Sequence, residues 1–426
     1  MNYDYYTLAN GVRIILVPMQ GVQSVGIGVY VETGSRYETP KINGISHFLE
    51  HMVFKGTKNF PTHYDTSRLE GMGAVQNAWT DVDATAYWCK IPADKWQEGL
   101  ALMKDLALYP TIPRKDLEIE RGVILEEINR RDDRPDEISA ETMMELKFAP
   151  NTLGMTILGN PDVIKRVSRD DFLEYHDHQY VAGRIVVVMA GKIVQPAKIK
   201  HQISDYFEKL PKNPGGDFEK IKDVQSKPMI KLYKKDLAAQ AHIQLGVSGV
   251  TVDDPRRFGL SLLTTYLGHG LSSRLFVELR EKRGLCYAVS TEDSRWTDSG
   301  LWSVYAGLAI DKLEDAVLAI ATEMHRLKDT KLTEEELIQA KEKIRGPLLF
   351  SAENPVNVMN YYAKQALDRP ENIMSYDAVI DSLMQIDSSE IMKITNELFV
   401  QKKLNLAVVG PVSEDRVQKL MERVKI

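Results

Sequence analysis

The sequence predicts an α+β protein built from two duplicated domains, and three observations lead there. At 426 residues the chain exceeds one ordinary hydrophobic core, so two domains are expected. Stretches that alternate apolar and polar residues, rich in Val and Ile, are interleaved with stretches of helical period. The chain also repeats itself. Residues 168–193 match residues 387–412 at an offset of 219, with Phe172 opposite Ile391, Tyr180 opposite Phe399, and I-V-V-V-M-A-G-K-I opposite L-N-L-A-V-V-G-P-V. An earlier pair, S-V-G-I-G-V-Y-V and H-I-Q-L-G-V-S-G, aligns at 218. A duplicated unit explains both. The joint falls in residues 213–227, after P-K-N-P-G-G-D begins, leaving 1–212 and 228–426 as the two domains.

In chain order, residues 11–32 read as two strands joined by a turn at Gln20-Gly21, and Thr33 to Asn43 as a polar loop entering a helix over 44–54. A short helix over 64–71 precedes a hairpin over 73–91 that turns near Asp81-Val82-Asp83. An amphipathic helix over 94–109 stops at Pro110 and Pro113, and a further helical pattern occupies 117–130. The later amphipathic segments, 311–329, 333–346 and 356–368, read as scaffold.

Composition narrows the function classes. With 43% hydrophobic and 27% charged residues the chain is globular and not disordered. A net charge of -6 gives no footprint for nucleic acid and mildly favours basic ligands. No membrane span is expected, because the run Ile185 to Ala190 is far too short. The N-terminus lacks an export signal, and Cys89 and Cys286 sit in different halves as reduced thiols, so a cytoplasmic setting is expected.

The chemistry is concentrated in His47-Phe48-Leu49-Glu50-His51. On a helix, His47 and His51 lie four apart on one face, with Glu50 beside them. Two imidazoles suit Zn²⁺, and a neighbouring carboxylate can move the proton of a water held in an open position. The order H-x-x-E-H inverts the common zincin motif. Two ligands do not complete a site, so a distant carboxylate is required. Glu120 and Glu127 are two helical turns apart on one stripe, and a carboxylate on an apolar stripe is costly unless paired or metal-bound. Glu127 is therefore the candidate third ligand and Glu120 its support. A solvated acidic face suits Glu118 and Glu126 instead. His176 and His178 fall at a helix end without a third ligand, and His63, His201, His242 and His325 stand isolated.

H-F-L-E-H followed by M-V-F-K-G-T, with Glu127 placed 76 residues after His51, resembles the pitrilysin/insulinase family of inverted zinc metallopeptidases. The likeness spans nearly the whole chain and is nearest the short-chain branch of the mitochondrial processing peptidases and their bacterial relatives. It implies a processing-peptidase-like metallohydrolase fold, each domain a curved, mainly antiparallel sheet flanked by helices. It implies one Zn²⁺ per chain on His47, His51 and Glu127, with Glu50 catalytic. The strand around Asn77, Ala78 and Trp79 would be an exposed edge that takes substrate as an added strand, pairing backbone without reading side chains. Glu137 and Glu141, on an extension of the Glu127 helix, resemble the acidic pair that receives a substrate arginine. Arg280 and Tyr287 match a family pair that touches substrate near the scissile bond.

Aligning Gly44-Ile45-Ser46 with Gly259-Leu260-Ser261 sets Leu262, Thr265 and Tyr266 opposite His47, Glu50 and His51, so the second copy carries no zinc ligands. By resemblance two chains would form the chamber, as a homodimer by default or a heterodimer. One chain's Arg280 and Tyr287 would then serve the other's zinc. The expected activity is zinc-dependent hydrolysis of peptides or unfolded polypeptides. The alternative is a non-catalytic structural or partner-binding subunit on the same scaffold, which tends to lack part of the zinc set that is complete here.

Overall fold

A computed structural model describes residues 2–426, and among them no helix is long and apolar enough to cross a membrane. The fold is α+β, with two mixed sheets. The first runs in the order β1-β2-β6-β3-β5-β4, where β1 is Asp4–Thr7, β2 Arg13–Pro18, β3 Ser24–Val31, β4 Val75–Thr80, β5 Thr85–Pro92 and β6 Ile185–Gly191. The second runs β7-β11-β8-β10-β9, with β7 Met229–Lys234, β8 Ala241–Ser248, β9 Ala288–Arg295, β10 Gly300–Leu308 and β11 Asn405–Gly410. Apart from β1, the two orders are the same. Each sheet has one parallel pair, β2 with β6 and β7 with β11, and is otherwise antiparallel.

Helix caps repeat with the strands. Ser168 caps the helix Arg169–Gln179 and Asp387 caps Ser388–Leu398, each before a buried strand that ends in a glycine. The turn at Gln20-Gly21 joins β2 to β3 as expected, yet these strands do not pair, because β6 lies between them. All seven β6 residues are buried. A Val-rich run covered on both faces belongs in the middle of a sheet, and here it takes the place between β2 and β3.

Two compact units divide the chain, and the contiguous boundaries read from the sequence are corrected by them. One unit comprises the chain up to Asn129 with Met155–Glu219 and Leu349–Tyr376; the other comprises Arg130–Gly154, Lys220–Leu348 and Asp377–Ile426. Each therefore holds a helix from the opposite half of the sequence. Pro355–Asp368 packs on the first sheet, where Arg13 Nη1 donates to Ala366 O at 2.6 Å and Tyr30 donates to Asn360 Oδ1 at 2.6 Å. Pro135–Phe148 packs on the second, where Lys147 Nζ donates to Ser248 Oγ at 2.8 Å and pairs with Asp223 at 3.2 Å. Both exchanged helices are 14 residues long and begin at proline.

A second correction concerns Thr33 to Asn43. The segment is polar in sequence but largely buried, with Arg36, Glu38 and Asn43 all under 9% exposed. Thr33 Oγ1 meets Tyr175 OH at 2.8 Å, Asn43 Nδ2 donates to Glu38 Oε2 at 2.9 Å and the Arg36 guanidinium lies over the Phe218 ring, as buried polar groups require, while Ser35 Oγ is buried without a partner among the described residues.

Candidate metal centre

The motif helix runs Ile45–Val53. Its spacing divides it cleanly: Ile45, Phe48, Leu49 and Met52 enter the core of the first unit, and Phe48 meets the ring of Phe172 edge-on at 5.0 Å. His47, Glu50 and His51 are left on the accessible side. The helix starts at Gly44, whose φ of 96° is left-handed, and a Cβ there would stand 2.7 Å from Gly159 Cα. Only glycine meets both conditions. Glu38 caps this entry, accepting from Gly44 N at 2.7 Å, Ser46 N at 2.8 Å and Asn43 Nδ2 at 2.9 Å.

The ligand helix runs Arg114–Asp132, with Leu117, Glu120, Ile124 and Ile128 buried. Glu127 is one residue off that buried stripe and reaches the histidines. Its Oε2 lies 3.7 Å from Nε2 of His47 and 3.7 Å from Nε2 of His51. Among the described residues, these three offer ligand atoms all within 4.8 Å of one another. The 3.7 Å separations are too long for hydrogen bonds. They approach the edge of about 3.4 Å that a tetrahedron with zinc bonds near 2.1 Å would have. Two imidazoles and a carboxylate are also the donor types zinc takes. The residues fit the ion.

The surroundings fit it too. Burial, and then the neighbouring His51, push the His47 pKa down to about 4, which keeps a ligand lone pair available at neutral pH. Nδ1 of His47 is buried without a partner. His51 Nδ1 instead meets Glu120 Oε2 at 3.1 Å, and Lys55 Nζ holds the other Glu120 oxygen at 2.5 Å. That chain fixes the His51 ring so that Nε2 faces Glu127. Glu50 accepts from Thr80 Oγ1 at 2.6 Å. Burial raises its pKa, against the pull of Thr80 and His51, with Glu127 adding to the rise.

Asn77, Ala78 and Trp79 lie on β4, the open edge of the first sheet. The outward Ala78 N–H is taken at 2.9 Å by the carboxamide oxygen of Asn77. The remaining expected site residues belong to the second unit. Glu137 and Glu141 are not on an extension of the ligand helix, which is a correction: that helix stops at Asp132, and Pro135 opens a new one. Glu137 pairs with Arg134 at 3.0 Å, and Glu141 pairs with Arg131. Arg280 is on a π-helical turn, Phe276–Glu281, with its guanidinium over the Phe276 ring. Tyr287 precedes β9 and is half-exposed at 47%. Nor is His242 isolated. Its Nδ1 meets Tyr305 OH at 2.9 Å, and its ring stands 6.4 Å from that of Tyr287.

Two neighbours of the site, Glu38 and Thr80, escaped the sequence reading. The pattern E-x₅-G-I-S, which sets an acid six residues before a helix-entry glycine, is a signal that could have found the first. Nothing in the spacing pointed to the second.

Residues 13–161 match the family model described as insulinase (peptidase family M16), and residues 166–344 match the model described as peptidase M16 inactive domain. A Bacillus subtilis protein named uncharacterized zinc protease YmxG is 32% identical over 95% of this chain and 98% of its own length. A Streptomyces coelicolor protein named uncharacterized zinc protease SCO5738 is 30% identical over 98% and 92%. Among solved structures, a protease from Helicobacter pylori superposes with a TM-score of 0.87 at 22% identity, covering 96% of this chain and 99% of that one. A peptidase M16 inactive domain from Pseudomonas fluorescens gives 0.88 at 18%, covering 97% and 99%.

Proposed function

Since the chain belongs to the insulinase family, peptidase family M16, we propose that it is a zinc-dependent endopeptidase acting on peptides or unfolded polypeptides. The observation that carries this is the meeting of His47, His51 and Glu127, drawn from two helices, with Glu50 one turn along. Zinc held there would acidify a water and polarise the scissile carbonyl. Glu50 would take a proton from a water beside it and return it to the departing amine nitrogen. Glu120, through His51, keeps one ligand oriented. The substrate lies as an extra strand along Asn77, Ala78 and Trp79, and Asn77 turns out to free the Ala78 N–H for it.

Arg280 and Tyr287 supply donors to the peptide carbonyl from a second chain, so two chains make one chamber and the homodimer holds one zinc per chain. Glu137 and Glu141 give a preference for basic peptides, although a substrate arginine must first displace Arg134 and Arg131. Charge reversal at both positions then alters the cleavage profile on a basic-peptide library; an unchanged profile removes that assignment.

The test of the main reading is cleavage of a quenched fluorescent peptide library by the purified chain, with chelator and with Glu50→Gln. Cleavage that is lost with chelator, restored by zinc and absent in Glu50→Gln supports the peptidase. A wild-type chain that holds zinc but cuts nothing favours the non-catalytic subunit.

A further inference from the structure

The mechanism assigns Glu50 a proton but leaves open what aims its carboxylate. Glu50 is anchored to the helix through three rotatable bonds, and a buried carboxylate with no donor is costly. Thr80 provides that donor, at 2.6 Å to Oε2. It is the last residue of β4, paired across the hairpin with Thr85, whose own hydroxyl donates to Thr33 O at 2.9 Å. The hydroxyl is thus carried on a pinned strand end. Alternation places Thr80 on the same side of β4 as Ala78, which is buried against the motif helix side of the sheet.

We propose that Thr80 is the positioning residue for Glu50, tying the proton-moving carboxylate to the edge strand that takes the substrate. The inference rests on the peptidase reading above and deepens it. With Oε2 held by Thr80, Oε1 remains for the water proton. A hydroxyl–carboxylate bond of this length is charge-assisted and restrains rotation of the carboxylate. Because the donor sits two residues after Ala78, a peptide paired along β4 and the carboxylate that acts on it are referenced to one backbone. A shift of the strand moves both together, so a substrate seated along β4 meets an aligned base.

The test compares wild type, Thr80→Val, Thr80→Ser and Glu50→Gln as full-length zinc-loaded chains, reading kcat, KM and zinc content with one quenched peptide. Valine keeps the shape of threonine and removes the hydroxyl; Thr80→Ala replaces it if the valine chain does not fold. The expected result is a kcat lower by about 10- to 100-fold in Thr80→Val, KM within about twofold, wild-type zinc content, and near wild-type rates in Thr80→Ser. A wild-type kcat in Thr80→Val, a loss of zinc in step with activity, or a Thr80→Ser chain as slow as Thr80→Val each overturns it. If the wild type itself cuts nothing, the peptidase reading has failed, and crystal structures of wild type and Thr80→Val decide the positioning claim. A Glu50 carboxylate unmoved in the valine variant rejects it; a displaced or multiply oriented one upholds it.

Discussion

Glu120 bridges His51 and Lys55 from a nearly buried position, and this makes it the residue whose change separates metal affinity from fold. Glu120→Gln keeps an acceptor for the His51 ring but removes the negative charge that raises its basicity. Zinc affinity is expected to fall by about 10- to 100-fold, measured by competition with a chromophoric chelator, with little change in melting temperature.

Glu38 gives a pH-dependent counterpart. Burial pushes its carboxyl up to about 7 from an ordinary 4.5, despite the donors of Ser46, Gly44 and Asn43. The folded chain therefore binds this proton more tightly than the unfolded chain does. Its contribution to stability is fully present below about 4.5 and is lost as pH rises through about 7. Glu38→Gln cannot ionise. The stability advantage of wild type over Glu38→Gln should thus shrink by roughly 2–3 kcal/mol between pH 5 and pH 8, read by urea denaturation at both. An advantage that stays constant contradicts the assignment.

These residues also mark what a sequence can tell. His47, Glu50, His51, Glu127 and Glu120 were legible because ligands on helices must recur at fixed spacings. Glu38 and Thr80 act from a strap and a strand end, where the distance to the motif follows from the tertiary path and leaves no period to read.

At the scale of elements, most strands and helices followed from their patterns, while their neighbours did not. The alternation in residues 11–32 identified β2 and β3 but could not show that β6 separates them. Amphipathic spacing likewise identified the helix at 356–368 but not which sheet its apolar face would cover. The polarity of residues 33–43 gave a loop, but not that Arg36, Glu38 and Asn43 would be buried within the fold.

The second sheet contains a close fit of its own. A Cβ on Gly307 of β10 would stand 2.6 Å from the ring of Tyr287, whose backbone N–H donates to Gly307 O at 3.0 Å. Glycine there makes room for the ring beside His242 and Tyr305. Gly307→Ala should therefore turn the Tyr287 ring outward while leaving the strand pairing intact. Peptide cleavage should fall about as far as in Tyr287→Phe, with thermal stability lowered by no more than about 1 kcal/mol. Full activity in Gly307→Ala would show that the ring's position does not matter.

For the molecule as a whole, duplication explains both the matched sheets and the unequal chemistry. One copy holds the histidines, and Tyr266, opposite His51, hydrogen-bonds Glu336 at 2.7 Å instead of meeting a metal. The exchanged helices add a consequence for folding. A fragment of residues 1–219 lacks the helix that covers β3, where an added Cβ on Gly26 would stand 3.1 Å from Pro355 O. A fragment of 220–426 lacks the helix 135–148. Each fragment alone should fail to unfold cooperatively, and the two co-expressed should recover a single transition by calorimetry. A cooperative transition in either fragment by itself would contradict this. The proposal that two chains share one chamber is tested by mixing: Arg280→Ala chains and Glu50→Gln chains, each inactive, should regain activity when combined if one chain's arginine serves the other's zinc.

The measurement closest to the centre of the account is equilibrium zinc content of the purified chain and its variants by inductively coupled plasma mass spectrometry. The account predicts equal zinc in wild type and Glu50→Gln, near one ion per chain, and almost none in His47→Ala, His51→Ala or Glu127→Ala. A wild-type chain that holds no zinc after loading, or a Glu127→Ala chain that holds as much as wild type, would contradict it.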